Sequence, residues 1–423
     1  MVATTPGTPQ ADPSGGSPPT HRRLLALTSL GHFVNDGTTF FVPVLAALLA
    51  SGRGASPIEI TAMLVVYYAS SSLLSLSVGR WADRSGHPQA LMAVGMSLLG
   101  CGMGGFYLAL SLFTGTAGFA TALVSAFVVG FGSSFYHPLG ASLLQAGYER
   151  KELGSALGFN GAMGSVGRAL YPTLFFLVGL VLTQDSAVLA FAAVGLLAAG
   201  VMVPTRSRAT TAARPPPGPS RPPRAREAFS LGIVMLTLVA FVRSAANLGI
   251  VAFLPTYMHF VRPLWAGAPL GVEVTIMYLG GILGQPFFGL LADRADGRLL
   301  LGLSSLGAAL GTLGFLVLGG AAAIPLLFLI GFFTFSAFPL LMTLSAEHVD
   351  PRSTSLANAL VFGVGTGVGG VVGPLAVGLI ASGRYLHLAQ GFYAMILLGF
   401  VAAVAVAAIP RSGTRRLRMS LFG

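Results

Sequence analysis

Charged side chains are scarce in this chain. Of its 423 residues, 9% are charged and 54% are hydrophobic, whereas soluble domains carry about 25% charged residues. A soluble protein of this length needs far more charge to cover its surface. The composition therefore excludes an ordinary soluble protein and predicts a lipid bilayer as the main partner of the side chains.

Cysteine and lysine occur once each, as Cys101 and Lys151. A single cysteine excludes an intramolecular disulfide and a Cys-x-x-Cys site; because Cys101 lies in an apolar run, we expect it to be buried. A Walker A loop needs Gly-Lys-Ser/Thr, and Lys151 follows Arg150. The sequence therefore excludes ATP bound in a P-loop as an energy source.

Catalytic patterns are also missing. The sequence has no His-Glu-x-x-His motif, no nucleophile elbow and no metal-ligand cluster, so we expect no enzymatic activity, no cofactor and no metal. The net charge of +11 does not indicate nucleic acid, because the basic residues lie in short gaps between apolar runs.

Twelve apolar runs are long enough to cross a bilayer, which takes about 20 apolar residues. The sequence therefore predicts an all-α polytopic membrane protein with twelve transmembrane helices. They are expected near 24–50, 58–80, 89–111, 118–145, 153–181, 186–203, 229–260, 271–291, 299–318, 322–346, 354–382 and 387–409.

The segments outside these runs divide the chain. A tail rich in Pro, Gly, Ser and Thr (1–20) is expected to be disordered. A segment with six arginines and a proline triplet (204–227) is expected to be a linker. The predicted domains are thus two six-helix bundles, 21–203 and 228–410, followed by a basic tail, 411–423.

The arginine distribution predicts the orientation. With the N-terminus in the cytoplasm, 19 of the 24 Lys and Arg residues lie in inside segments, three outside (Arg53, Arg262, Arg384) and two in helices. This is the positive-inside bias. We expect an inner (plasma) membrane protein with both termini cytoplasmic, and a monomer.

The two sets of six helices are similar to each other. Gly79-Arg-Trp-Ala-Asp83-Arg84 recurs as Gly289-Leu-Leu-Ala-Asp293-Arg294, Asn35 and Pro43 as Asn247 and Pro255, Gly130 and Pro138 as Gly331 and Pro339, and Gly167 and Pro172 as Gly369 and Pro374. Two parallel six-helix repeats are the plan of the major facilitator superfamily, whose substrate site lies between the halves near mid-membrane.

The repeated loops resemble the cytoplasmic signature of that superfamily. The resemblance implies that Gly79, Asp83 and Arg84, with Gly289, Asp293 and Arg294, form a conformational latch between helices in one transport state. The alternative is charge that only sets topology. The second copy departs from the pattern, since Asp296 stands at the usual glycine position.

Four further stretches resemble the fosmidomycin-resistance-type efflux family: 29–36, 130–138, 153–167 and 345–352. This resemblance implies proton antiport, efflux by alternating access and a link to antibiotic resistance. Two positions depart from relatives: Leu139 follows His-Pro where the family tends to carry an acid, and Ala126 stands where many drug antiporters carry arginine.

Asp36 is the acidic residue expected deep inside a helix, roughly 18 Å from its start at 1.5 Å per residue. A carboxylate there is costly unless it is paired or protonated, which indicates function. His32 lies one turn earlier on the same face and can share a proton, and His137 before Pro138 is a second candidate. The alternative is a structural His–Asp pair and a packing histidine.

The buried arginines, Arg168 and Arg243, would suit an anionic substrate if both faced a central cavity. Alternatively, one of them neutralises Asp36 and neither touches substrate. Further candidates for substrate binding, each equally explained as interhelical hydrogen bonding, are Asn35, Asn247, Ser133, Ser134, Asn160, Tyr67 and Tyr257.

These residues predict a secondary transporter driven by the proton gradient that exports a small, anionic or amphiphilic molecule. The rivals are a carrier that takes up an organic anion or nutrient with the same residues, and a receptor or scaffold that does not transport.

Overall fold

The structure is a computed structural model that describes residues 18–85, 87–148, 150–203, 230–262, 270–292, 294–319, 322–349 and 357–411. All regular structure in these ranges is helical. The helices are α1 (Pro18–Arg53), α2 (Pro57–Ser85), α3 (Pro88–Ser111), α4 (Gly115–Gly147), α5 (Arg150–Val181), α6 (Gln184–Met202), α7 (Leu231–Phe260), α8 (Leu270–Ala292), α9 (Gly297–Val317), α10 (Ala323–Glu347), α11 (Ala359–Ala381) and α12 (Tyr385–Ala408).

Each of the twelve helices contains a stretch that is long and apolar enough to cross a membrane, which confirms the predicted fold class. The largest shift of a described boundary is at α1, which begins at Pro18 rather than near residue 24. The predicted linker and most of both predicted tails lie outside the described residues. The expectation for Cys101 is wrong: it is exposed on α3, on a face of the helix that none of the described elements covers.

Contacts between helix ends define two sides of the bundle. The Tyr148 hydroxyl donates to the His21 carbonyl at 2.8 Å, and Arg298 donates to the Ile409 carbonyl at 2.9 Å. The end of α4 and the starts of α1 and α9 therefore lie with the end of α12 on one side, here called the near side. The opposite side, which carries Arg53, is called the far side.

Glycine packing follows the repeat predicted from the sequence. A side chain at Gly167 would strike the Phe33 carbonyl of α1, and one at Gly369 would strike the Phe241 carbonyl of α7. Gly130 lies in the same way on α2, and Gly331 on α8. Small residues let helix backbones approach closely in membranes, so each half uses its glycines at the same pair of interfaces.

Two far-side arginines also occupy matching places. Arg53 donates to the Leu110 carbonyl at the end of α3, and Arg262 donates to carbonyls at the end of α9, including that of Phe315. The last carbonyls of a helix lack intrahelical donors, and arginine satisfies them. Capping of helix ends therefore accounts for the positions of Arg53 and Arg262, two of the three arginines predicted to lie on the outer side of the membrane.

The two halves meet toward the far side. Thr173 of α5 and Thr275 of α8 join hydroxyl to hydroxyl at 2.8 Å, and the Tyr385 hydroxyl donates to the Ala55 carbonyl. A side chain at Gly378 of α11 would strike Thr61 of α2. These contacts hold α5 to α8 and α2 to α11.

Gly167→Ala should lower the thermal-unfolding midpoint of the detergent-solubilised protein, because the added methyl displaces α5 from α1. Overpacking of this kind costs about 1–3 kcal/mol. Gly161→Ala on the same helix is the control, since a methyl there meets nothing within 4 Å and alanine favours the helix by about 1 kcal/mol. Equal midpoints for the two variants would contradict the packing argument.

Candidate functional site

Asp36 lies near the middle of the 33-residue apolar stretch His21–Arg53, and its side chain is 4% exposed. Three groups that can carry positive charge surround its carboxylate. The His32 Nε2 atom is 3.5 Å away, the His137 Nε2 atom 3.6 Å and the Arg168 Nη2 atom 3.4 Å. Helices α1, α4 and α5 thus bring together four of the residues that the sequence marked as candidates.

His32 is held in one orientation by its neighbours. Its Nδ1 atom faces two acceptors on Asn160, the backbone carbonyl at 2.8 Å and the side-chain oxygen at 3.0 Å, and its ring stacks on Tyr136 at 4.7 Å. With acceptors on that side, Nδ1 carries a proton and Nε2 faces Asp36. This arrangement suits a second proton shared between the imidazole and the carboxylate.

His137 connects the buried carboxylate to its surroundings. Its side chain is 61% exposed, although its ring lies edge-on to His32 at 5.5 Å. It lies in the near-side half of α4, directly before Pro138. The imidazole therefore borders open space on one side and Asp36 on the other, which is the geometry of a proton relay.

Arg168 forms an ion pair with Asp36, as expected under the alternative in which an arginine neutralises this carboxylate. Beyond its contact with the carboxylate, it donates to the Ser165 hydroxyl at 3.2 Å. The guanidinium also lies over two rings, Phe40 at 4.6 Å and Phe335 at 5.1 Å from the ring centres. A buried carboxylate is stabilised by such pairing, so Arg168 has a defined partner before any substrate binds.

Arg243 lies elsewhere, buried on α7. Its Nη2 atom donates to the Phe333 carbonyl at 2.8 Å and the Thr334 carbonyl at 3.1 Å. These carbonyls lie just before Ser336, where α10 is interrupted. Arg243 therefore has backbone partners where Arg168 has a carboxylate, and it stabilises the interruption in α10.

The remaining candidates make contacts within the bundle. The Ser133 hydroxyl lies 3.2 Å from that of Ser71, and Ser134 donates to the Phe131 carbonyl at 2.6 Å. Asn35 donates to Asp36 at 3.1 Å. Three further candidates are buried side chains, of which Asn247 has an unbonded amide nitrogen: Tyr67, Tyr257 and Asn247.

The latch is described only in part. Residue 293 lies outside the described residues, and only the backbone is described at positions 79 and 83. Gly289 faces Pro339 of α10, and Arg84 and Arg294 are exposed on the near side. Their role as a latch stays a prediction.

Asp296, which departs from the signature, caps α9. Its carboxylate accepts from the Arg298 amide at 2.9 Å and pairs with the Arg298 guanidinium at 2.7 Å. The hydrogen bond from the Arg298 side chain lowers the pKa of Asp296. The ionised cap therefore stabilises the folded state above the ordinary aspartate pKa, and this contribution is lost as pH falls from there through the lowered pKa of the folded state.

Three features escaped the sequence reasoning. Glu273, in the first turn of α8, is 3% exposed and is a second buried acid. Tyr278 and Phe335 pack beside the Asp36 cluster. The sequence could have identified Glu273, because it is an acid inside a predicted transmembrane span. It could not have identified Tyr278 and Phe335, because aromatic residues are common in apolar helices.

His32, Asp36 and His137 place one ligand atom each within 4.8 Å of one another, as a metal site would. Arg168 already supplies a cation beside the same carboxylate, and a divalent ion would be repelled by it. The cluster is therefore better suited to holding a proton than a metal.

The sequence pattern that defines the Major Facilitator Superfamily matches residues 28–364 and, in a second match, 264–418. The chain belongs to the major facilitator superfamily. Members of this superfamily are carriers, so the chain is an integral membrane transporter with lipid contact and a small-molecule substrate, and it is not an enzyme.

Solved major facilitator structures have the same fold. A bacterial homolog of the human lysosomal transporter Spinster, inward-facing and occupied, aligns with a TM-score of 0.73 and 16% identity over 94% of this chain and 98% of its own. The xylose transporter XylE from E. coli, inward open, gives 0.74 and 13% over 94% and 98%. The nucleoside transporter NupG gives 0.72 and 13% over 92% and 100%.

A closer sequence relative is an uncharacterized protein of Archaeoglobus fulgidus. It is 31% identical over 134 residues, which is 30% of this chain and 58% of that protein. The match therefore spans little more than half of the relative's length.

Arg168→Met should destabilise the protein by about 3 kcal/mol, because it leaves the Asp36 carboxylate buried without its guanidinium partner. Adding Asp36→Asn should recover part of that loss, since the uncompensated charge is then gone. Thermal unfolding of the two single variants and the double variant measures the coupling. The exposed Arg84→Met is the control, and additive losses at 36 and 168 would show that the pair does not interact.

Proposed function

We propose that this transporter couples export of a small amphiphilic or anionic molecule to the proton gradient, with Asp36 as the group that gains and loses the proton. The observation that carries the proposal is the carboxylate held between His32, His137 and Arg168, with the His137 side chain 61% exposed in the near-side half of α4. An ionisable residue inside a membrane helix marks a proton or substrate pathway.

The cluster accounts for coupling through charge balance. With Asp36 ionised, the Arg168 guanidinium has its counter-charge 3.4 Å away. Protonation of Asp36 removes that counter-charge and leaves a net positive site inside the bundle, which changes the relative free energies of the two transport states. His137 supplies the route by which the proton reaches or leaves Asp36 from the near side.

The two walls around this route differ in character. His137 and Phe338 occupy matching places before Pro138 and Pro339, and Phe338 is 58% exposed and packs on Phe362 at 5.3 Å. One half thus offers a titratable polar wall and the other an aromatic wall. This contrast supports an amphiphilic substrate, whose polar end meets the half that holds the proton.

Arg168 and Arg243 remain candidates for an anionic group of the substrate. Each already has protein partners, so an anion would have to share or displace them.

The direction of transport rests on the fosmidomycin-resistance-type motifs, which support efflux and a role in antibiotic resistance. Uptake of an organic anion or nutrient is the rival, since the same residues run either way. Counterflow of candidate anions and antibiotics in proteoliposomes separates the two classes of substrate.

The near side is proposed to be cytoplasmic, because most arginines lie there, and the protein is proposed to act as a monomer in the inner (plasma) membrane. A reporter inserted within 204–227 should be cytoplasmic, and one near Arg384 should be external, because short loops rich in Lys and Arg stay inside. Protease or thiol accessibility in intact cells measures this. An external reporter in 204–227 would reverse the orientation.

Asp36→Asn should abolish accumulation driven by a pH gradient while substrate exchange without a gradient persists. The amide keeps the size of the protonated acid but cannot release a proton. Transport in proteoliposomes, with and without an imposed gradient, measures both activities.

The half-buried acid Asp185, in the first turn of α6, is the matched control, and its change to Asn should leave both activities intact. Full gradient-driven accumulation by Asp36→Asn would transfer the coupling role to His32 or His137.

A further inference from the structure

Three aromatic rings from both halves of the protein meet on the far side of Asp36. They are Phe40 of α1, Tyr278 of α8 and Phe335 of α10, and each pair of ring centres is 5.7 Å apart. The Tyr278 hydroxyl also donates to the Phe40 carbonyl at 3.0 Å. Mutual packing of this kind is favourable for aromatic rings, so this triad joins the first half to the second.

The position of the triad separates Asp36 from the far side. Phe40 follows Asp36 by one helical turn in the far-side direction, and Tyr278 is 2% exposed. On the near side, by contrast, the His137 side chain is 61% exposed. The carboxylate is therefore reached from one side and covered by rings on the other.

Arg168 touches both the charged cluster and the triad. Its Nη2 atom lies 3.4 Å from the Asp36 carboxylate, and its guanidinium carbon lies 4.6 Å from the centre of Phe40 and 5.1 Å from that of Phe335. One cation therefore has an ionic partner in its own half and an aromatic partner in each half.

We propose that Phe40, Tyr278 and Phe335 form the far-side gate of the central site, and that Arg168 is the positioning residue that makes this gate respond to the charge on Asp36. The proposal rests on the proposed function, because it takes Asp36 to be the group that is protonated. When Asp36 is neutral, Arg168 keeps only its aromatic partners and its hydroxyl partner, and the cation–π contacts hold the halves together.

When Asp36 is ionised, the carboxylate draws the guanidinium toward itself and the contact with Phe335 weakens. The far side then opens more readily. Ionisation of Asp36 thus precedes opening of the far side. An exporter needs this order, because the proton must leave toward the near side before the substrate moves to the far side.

Several titratable or charged groups interact with Asp36. They are His32 on α1, Tyr67 on α2, Tyr136 and His137 on α4, and Arg168 on α5. On α8, Tyr278 interacts with Arg168. On α7, Arg243 is turned to the Phe333 carbonyl. The Asp36→Asn variant isolates the contribution of the carboxylate from the rest.

The test measures closure of the far side directly by disulfide formation. Cys101 is first replaced by serine, and Thr173→Cys and Thr275→Cys are introduced at hydroxyls 2.8 Å apart across the interface of α5 and α8. A reference pair within one half, Ser71→Cys with Ser133→Cys at 3.2 Å, corrects for the reactivity of thiols at each pH. The readout is the oxidation rate of the pair at 173 and 275 divided by that of the pair at 71 and 133, called the ratio below.

The ratio should rise about threefold from alkaline to acidic buffer, a factor within the range of a cation–π contact. Asp36→Asn should fix the ratio at its high value at every pH. Phe335→Leu should lower the ratio and remove its pH dependence, and Phe335→Tyr, which keeps a ring, should restore both. Phe332→Leu is the matched control, because Phe332 packs on Phe287 and Phe288 within its own half.

A Phe335→Leu ratio equal to that of the parent at all pH values would overturn the gate. A ratio that still follows pH in Asp36→Asn would overturn the link through Arg168. These outcomes are independent of transport. Loss of gradient-driven export in Asp36→Asn, together with a Phe335→Leu ratio equal to that of the parent, would reject the gate and leave the proposed function standing. Should Phe335→Leu not fold, Phe335→Met, which keeps much of the bulk without a ring, takes its place, and a ratio equal to that of the parent again overturns the gate.

Discussion

The ion pair of Asp36 and Arg168 is the constraint around which the first half of the protein is arranged. A carboxylate in the middle of the bilayer is tolerated only with a partner, and the partner lies on another helix. The contact needs α5 to approach α1 closely. Gly164 leaves room for the His32 ring, and Gly167 lies on the Phe33 carbonyl. The glycines are thus a condition for the charge pair, because larger residues would hold the two side chains apart.

The second half keeps the scaffold and replaces the charge. By the repeat correspondence, Asp36 matches Leu248 and Arg168 matches Gly370, and a side chain at Gly370 would meet the Leu248 Cδ1 atom at 2.8 Å. An apolar side chain packed on a glycine thus fills the place of the ion pair. The packing of the two halves is similar while their electrostatics differ, so protonation acts on one half and the other provides an apolar surface to move against.

Hydropathy and the repeated motifs were sufficient to predict the twelve helices, because the length of an apolar run is set by bilayer thickness. The partners of Asp36 were found as candidates because charged groups are so rare within the helices that each one is noticeable. The role of Arg243 was not predicted. Pro339 marks a weak turn in α10, but which carbonyls the interruption at Ser336 presents to Arg243 depends on how α7 packs against α10. The same holds for Phe335, one of 29 phenylalanines, whose position beside Arg168 depends on how the halves meet.

Coupling requires that the proton site never be open to both sides at once, because a continuous path would dissipate the gradient. In this structure the exposed His137 side chain borders Asp36 in the near-side half of α4, while the rings of Phe40, Tyr278 and Phe335 lie on the far side of Asp36. Covering alone would permit the site to open in any protonation state. A cation shared between the carboxylate and the rings removes that freedom, since its position depends on whether Asp36 is charged. Arg168 therefore combines two tasks, neutralising a buried acid and holding two halves together, that a leucine-packed interface could not link.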